Sequence, residues 1–277
     1  MARVTINEIR EMKRRGEKIT VITSYDYATS KIVDSVGIPV ILVGDSLGVV
    51  VLGYENTLSV TMDIMIHHAK AVVRGAQHAF IIGDMPFMSY QISAEDAMRN
   101  AARFIQEAKT QAVKLEGGVN VADKVRAIVQ CGIPVMGHIG LTPQSINQLG
   151  GNLVQGKKPE AARQLLDDAR ALEQAGAFSI VLESVPYKLA ALITEKISIP
   201  TIGIGAGAGC DGQVQVIHDL LGLSDFVPKH ARQYAKLIDV MTAAAANYYN
   251  DVKAGTFPTE KNSYIIDQSV IDELKSA

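Results

Sequence analysis

Short runs of β-branched and other apolar residues recur along the chain at 19–23, 39–43, 79–83, 112–115, 133–137, 178–182, 199–204 and, more weakly, 226–228. Each is bounded by polar residues or glycine. Segments between them carry apolar residues at helical spacing: Met62, Met65, Ile66, Ala69 and Val73 fall on one face of a helix. Helix boundaries are marked too. Thr5 and Glu8 have capping-box spacing, Ser93 stands three residues before Asp96, Pro159 sits near a helix start, and Gly176 follows the periodic run Ala161 to Leu172. Strands that are almost continuously apolar, alternating with helices, indicate a parallel sheet covered on both faces, and eight such units favour closure. The predicted fold is α/β, a (β/α)₈ TIM barrel with an N-terminal capping helix. An open doubly wound sheet is the alternative left by the pattern. Residues 1–277 are expected to form a single barrel domain, with a polar, partly ordered C-terminal tail from about Lys253.

Composition narrows the function. A chain of 277 residues, 48% hydrophobic and 20% charged, has ample core for one barrel. Its net charge of -2 leaves no basic surplus for a phosphate backbone, and an absence of Trp with few other aromatics gives no stacking platform, so nucleic acid is not an expected partner. The longest apolar stretch, Ile38 to Tyr54, is interrupted by Gly44, Asp45 and Gly48 and is short for a bilayer span, so no membrane segment is expected. Cys131 and Cys210 lack metal-ligand spacing, and the charged N-terminus has no apolar core of signal-peptide length; a reducing, cytoplasmic location is expected.

Parallel strands joined by right-handed crossovers end on one face of a barrel, so residues closing each apolar run converge there. They are Asp26, Asp45 with Ser46, Asp84, Lys114 and Glu116, His138, and Glu183: five carboxylates, a lysine and a histidine beside one serine. Taken singly, Asp26 reads equally well as the N-cap of the next helix, and His138 as a satisfied, half-buried imidazole. Lys114 and Glu116 share a strand face and can form a structural ion pair, but charges inside a barrel strand are costly without a task. Oxygen donors without a cysteine or histidine pair suit a hard cation such as Mg²⁺, for which Asp45 and Asp84 are the candidate ligands. A 2-oxo acid chelating that cation would form a stabilised enolate, with Lys114 neutralising its carboxylate and Glu183 taking the carbon-bound proton. The run GIGAGAGCDGQ (203–213), with Asp225 downstream, superficially suits dinucleotide phosphates; following a seventh barrel strand, it either lines a pocket or lets the backbone turn.

GDSLG (44–48), DMPFM (84–88), VKLEGG (113–118), GHIGLTPQS (137–145), VLES (181–184) and IGIGAG with CDGQVQVIHD up to Asp219 stand in one order, and together they resemble the ketopantoate hydroxymethyltransferase family over roughly residues 3–260. The resemblance implies a phosphoenolpyruvate mutase-like barrel that uses Mg²⁺ and transfers a one-carbon unit from methylenetetrahydrofolate to 3-methyl-2-oxobutanoate. The product is 2-dehydropantoate, for pantothenate and coenzyme A synthesis. It implies metal binding by Asp45 and Asp84, with Glu116 joining through water. Substrate contacts fall to Asp45, Ser46, Asp84 and Lys114, with His138 close by, and Glu183 is the base. It also implies a homo-oligomer, a decamer. Asn262 departs from the histidine expected in FPTEKNSY, which puts the role of the tail in doubt.

The rival reading is a metal-dependent lyase or mutase of the phosphoenolpyruvate mutase and isocitrate lyase group. Such barrels usually carry a loop cysteine; here Cys131 is expected at the opposite rim and Cys210 in the glycine run.

Overall fold

Alternation along each strand sorts the apolar residues into two cores. In a computed structural model describing residues 2–151, 153–224 and 226–277, eight parallel strands close on themselves in chain order. They are β1 (Ile19–Thr23), β2 (Val40–Val43), β3 (Phe80–Asp84), β4 (Ala112–Glu116), β5 (Val135–Gly140), β6 (Ser179–Glu183), β7 (Thr201–Ile204) and β8 (Gly212–Gln215). β8 pairs with β1, so the sheet is a barrel and the open alternative is excluded. Outward residues such as Ile41, Ile81, Val113 and Ile180 pack with the surrounding helices, whereas Val21, Leu42, Ile82, Met136 and Val181 fill the interior.

One strand was misplaced by the hydrophobic pattern. Residues 226–228 are not a strand; the eighth is Gly212–Gln215, whose alternate residues are exposed or half-buried. Only Val214 offers an apolar inward side chain there, too little for a hydrophobic run to register. A Cβ on Gly212 would meet the Ile19 carbonyl oxygen at 2.2 Å, so the close approach of β8 to β1 requires glycine. The glycine run therefore begins inside β7 and ends inside β8 rather than following the seventh strand; Asp225 lies outside the described residues.

Helix boundaries follow the local signals. The periodic segment is the helix Met62–Gly75, burying Met65, Ile66, Ala69 and Val72. Ser93 Oγ accepts from Asp96 N at 3.1 Å, Pro159 opens the helix Pro159–Gln174, and Gly176 follows it with φ +98°. Thr5 Oγ1 caps the N-terminal helix Ile6–Arg14 by accepting from Glu8 N. The Glu8 side chain is drawn instead to Arg15, 2.8 Å away, so only half of the capping box forms.

That N-terminal helix closes the lower end of the barrel with Ile9 and Met12, which join the interior core. Lys13 Nζ fastens it, lying 2.9 Å from both the Ile199 carbonyl oxygen and Asp211 Oδ2. The same Asp211 oxygen accepts from Thr201 N, so one ion pair ties the helix to β7 and the turn before β8.

The C-terminal stretch is exposed and partly helical. No described residue beyond Gly222 is buried, and the exposed part includes an ordered helix, Leu237–Ala254, that begins well before Lys253, and a second, Gln268–Ser276. Asn262 Oδ1 accepts from Thr259 Oγ1 at 2.9 Å in a local cap, away from the barrel mouth. Among the described residues no helix is long and apolar enough to cross a membrane.

Replacing Lys13 with Ala leaves Asp211 short of its cation in a mostly buried position. The expected loss is about 1–3 kcal/mol, discounted for partial solvent access. It is read from the urea unfolding midpoint at fixed protein concentration; an unchanged midpoint would show that the clamp contributes nothing.

Candidate active site

Period-two alternation turns from apolar to charged at the upper end of the strands. Phe80, Ile82 and Asp84 follow one another inward on β3, as do Ala112, Lys114 and Glu116 on β4. These charged residues lie within the strands rather than after them, and strand register then sets their neighbours: Asp84 is level with Lys114, and Glu116 with His138. The Lys114–Glu116 ion pair that shared-face spacing allows does not form. Lys114 Nζ lies 2.8 Å from Asp84 Oδ1 instead, because the adjacent strand brings Asp84 closer than a residue two along the same strand.

From this pair a buried network spreads across the mouth. Asp84 Oδ2 accepts from Asp45 N at 3.1 Å. Gln144 Nε2 donates to Asp45 Oδ2 at 2.9 Å, and its backbone N–H donates to Glu116 Oε2 at 3.0 Å. Tyr90 O–H donates to Gln144 Oε1 at 2.7 Å and accepts from Glu116 N at 3.1 Å. His138 stands between two carboxylates, with Nδ1 3.4 Å from Glu116 Oε1 and Nε2 3.2 Å from Glu183 Oε2. Ser46 Oγ meets the Tyr25 hydroxyl at 2.9 Å. The six ionisable members share a cavity of about 210 Å³ with Ser46. Its other wall, from β6 to β8, presents Val181, Ile204 and Val214.

Asp26 does not join them. It is exposed and caps the helix Tyr27–Ser35, accepting from Thr29 N at 2.8 Å, so the capping alternative is the correct one. His138, conversely, is fully enclosed rather than half-buried, at 3% exposure. Sequence reasoning missed Gln144, Tyr90, Tyr25, Thr57, Asp219 and His230. Gln144 lay inside the GHIGLTPQS motif; the tyrosines carry no charge signal at all. Neither cysteine lines the cavity: Cys131 is exposed beyond the helix Ala122–Gln130, and Cys210 is buried, its thiol pushed up chiefly by desolvation. The loop thiol of the rival lyase chemistry has no counterpart here.

Charge governs the chemistry of this mouth. Burial raises the Asp45 carboxyl well above its ordinary range, and the neighbouring Asp84 and Glu116 add to it. Asp84 is raised by burial too, against the pull of Lys114. Burial opposes the Lys114 ammonium, yet Asp84, Glu116 and Asp45 outweigh it and hold the pKa above that of an ordinary lysine. For His138, burial and Lys114 push down, but Glu116 and Glu183 prevail and lift it to about 9. The His138 ring faces both carboxylates, while the Lys114 ammonium faces Asp84 and lies 3.3 Å from His138 Nδ1.

A divalent cation fits this arrangement. Four carboxylates (Asp45, Asp84, Glu116, Glu183) against Lys114 and protonated His138 leave a formal excess of two negative charges. Asp45 Oδ1 accepts no hydrogen bond from a described residue, and Asp84 Oδ1 has an ion-pair neighbour but no aligned donor. Among the described residues no three His, Cys, Asp or Glu side chains stand close enough to hold a metal by themselves. Mg²⁺ typically needs only one or two carboxylates, with waters and substrate oxygens completing its shell.

The profile of a family described as ketopantoate hydroxymethyltransferase matches residues 3–260. The chain is 62% identical over 274 residues to 3-methyl-2-oxobutanoate hydroxymethyltransferase of Dehalococcoides mccartyi strain 195, covering 99% of this chain and 97% of that one. It is 58% identical over 275 residues to the enzyme of the same name from Syntrophomonas wolfei, covering 99% and 100%. In fold it is similar to a phosphonopyruvate hydrolase solved with oxalate and Mg²⁺, with a TM-score of 0.61, 12% identity and coverage of 99% and 95%. A 2,3-dimethylmalate lyase, described as a phosphoenolpyruvate mutase/isocitrate lyase superfamily member, gives 0.59, 15% identity and 98% of each chain. At such identities the structural likeness establishes the barrel type alone.

The His138 environment has a consequence for the metal-free protein. Its folded pKa lies above the unfolded value, so native chains bind more protons between the two, and stability falls as pH rises there. The contribution, on the order of 3 kcal/mol, is complete below about pH 6.5 and lost as pH passes through about 9. The stability gap between the parent and His138→Gln should therefore narrow over that window in denaturant titrations; a gap independent of pH would contradict the protonated bridge.

Proposed function

Because the chain belongs to the ketopantoate hydroxymethyltransferase family, we propose that it transfers a hydroxymethyl unit from 5,10-methylenetetrahydrofolate to 3-methyl-2-oxobutanoate, giving 2-dehydropantoate for pantothenate and coenzyme A synthesis. The observation that carries this reading is the cluster of buried Asp45, Asp84, Lys114, Glu116 and His138 with half-buried Glu183 at one barrel mouth. A branched 2-oxo acid is anionic at one end and apolar at the other, as is the cavity.

Asp45 and Asp84 would hold Mg²⁺ or another divalent cation, with Glu116 contributing through water. Bound there, the cation supplies Lewis-acid stabilisation for negative charge on the oxygens of the oxo acid. Lys114, fixed by Asp84, adds a positive charge for the substrate carboxylate, and Ser46 a hydroxyl beside it. Glu183, the most solvent-accessible carboxylate of the cluster with a side chain 17% exposed, takes the proton from the carbon beside the carbonyl. The broken C–H bond leaves its electron pair in the enolate, and that carbon attacks the one-carbon unit. That unit is at the formaldehyde level, set free when water adds to the donor's methylene carbon and its C–N bonds break to release tetrahydrofolate; the water oxygen becomes the product alkoxide, which takes the proton back from Glu183. His138 holds Glu183 from behind and faces Glu116 on its other side.

The same reading covers the setting of the enzyme. One barrel domain with an appended helical tail works in the cytoplasm on small molecules. It assembles as a homo-oligomer, a decamer in the family's manner; the helix Leu237–Ala254, which has no buried residue and exposes Val240, Met241 and Tyr248, supports an assembly in which a second copy covers it.

Two measurements test the assignments. Asp84→Asn keeps the shape but loses the charge a hard cation needs, so calorimetry should show Mg²⁺ affinity reduced by tenfold or more; unchanged affinity would move the metal elsewhere. Glu183→Gln should lose about 10²- to 10⁴-fold in turnover. With Mg²⁺ and 3-methyl-2-oxobutanoate in heavy water, the parent exchanges the proton beside the carbonyl and the variant does not, as followed by proton NMR. Exchange at the parental rate would remove Glu183 as the base.

A further inference from the structure

Asp219 is the one carboxylate of the cavity wall outside the network just described. It lies on the short helix Ile217–Leu221, directly after β8, and is 7% exposed. Its Oδ1 accepts from Ser224 Oγ at 3.0 Å, and no other described residue donates to the carboxylate. Oδ2 has no donor among the described residues and is not one of the fully enclosed polar atoms, on a side chain that lines the cavity. An acceptor that the protein leaves open to the cavity suits an occupant carrying N–H or O–H donors.

The surroundings narrow the class of occupant. Asp45, Asp84, Glu116 and Glu183 occupy the side formed by β2 to β6, whereas Asp219 follows β8 on the side that Ile204, Val214, Val216, Pro228 and His230 also line. A carboxylate in a wall that is apolar but for His230 suits a flat, largely uncharged ring that offers paired N–H groups along one edge and apolar faces to either side. The oxo acid cannot be that ligand, because it is anionic and carries no N–H donor. Of the two substrates in the reading above, the folate alone has such an edge: the ring N–H and exocyclic amino group of its 2-aminopyrimidinone.

We propose that Asp219 is the anchor for the pterin of the one-carbon donor, accepting from its 2-amino group and adjacent ring N–H. This rests on the hydroxymethyl-transfer reading and adds where the donor sits: against β7 and β8, across the cavity from Asp45 and Asp84. Ser224 holds Oδ1 and so orients the carboxylate plane toward the cavity. Asp219 takes no part in proton removal from the oxo acid.

The experiment uses the full chain with Mg²⁺ and 3-methyl-2-oxobutanoate, and two donors: 5,10-methylenetetrahydrofolate and its 2-desamino analogue. A site that hydrogen-bonds a substrate N–H rejects the analogue lacking it, so the parent should show KM for the analogue raised about 10- to 100-fold. Asp219→Asn should show a comparable rise with the natural donor and little discrimination between the two. The effect should fall on donor KM and not on proton exchange from the oxo acid in heavy water. A parent that uses both donors equally overturns the assignment even if the variant fails to fold. So does a variant with parental KM for the natural donor, or one that loses exchange and donor use together, which marks a purely structural role. A parent that exchanges the proton but turns over no folate overturns the donor reading itself, and this assignment with it.

Discussion

Like charges held together out of water at the barrel mouth are the constraint on which the rest of this structure turns. A buried carboxylate without a counter-charge gives up its proton reluctantly, and the raised Asp45 and Asp84 carboxyls show that the protein alone does not satisfy them. Lys114 and His138 lessen the excess without removing it, leaving a site complementary to a divalent cation and then to an anion brought alongside. Preorganised charge of this kind needs no rearrangement when negative charge develops on the substrate.

Neutral groups hold the charges in place. Gln144 bonds Asp45 through its side chain and Glu116 through its backbone, and Tyr90 bonds both Gln144 and the backbone of Glu116. These residues fix the carboxylates without adding charge. Fixing them with further lysines would neutralise the excess that the cation requires.

Such a mouth is destabilising by itself, and the lower part of the barrel offsets it. Below the charged layer the inward positions are apolar, and the N-terminal helix seals them with Ile9 and Met12. The division along each strand therefore separates two tasks: lower residues stabilise the fold by burial, and upper residues perform chemistry. A second division runs across the mouth, with four of the five cavity carboxylates on the β2 to β6 side and Asp219 alone after β8. The first places the site at one end of the barrel, and the second gives the site a direction.

The sequence by itself determined what a few neighbouring residues can encode. Continuous apolar runs marked seven of the strands, helical period and caps marked the helices, and the step from Ile82 to Asp84 or from Ala112 to Lys114 put charge at the strand ends. The family motifs, which extend over most of the chain, also lay open in the residues. Tertiary structure alone decided the pairings. β8 has a single inward apolar residue, so its existence depends on backbone hydrogen bonds to β1, nearly 200 residues away, and to β7. Lys114 faces Asp84 because register between β3 and β4 sets that distance, although Glu116 is nearer in sequence. Asp26 became a cap while His138 was enclosed, a difference set by which strand ends point inward once the sheet closes. Gln144, Tyr90 and Asp219 gained their places the same way: local pattern specifies which face a side chain takes, but only closure of the barrel brings residues from distant strands and loops within hydrogen-bond reach.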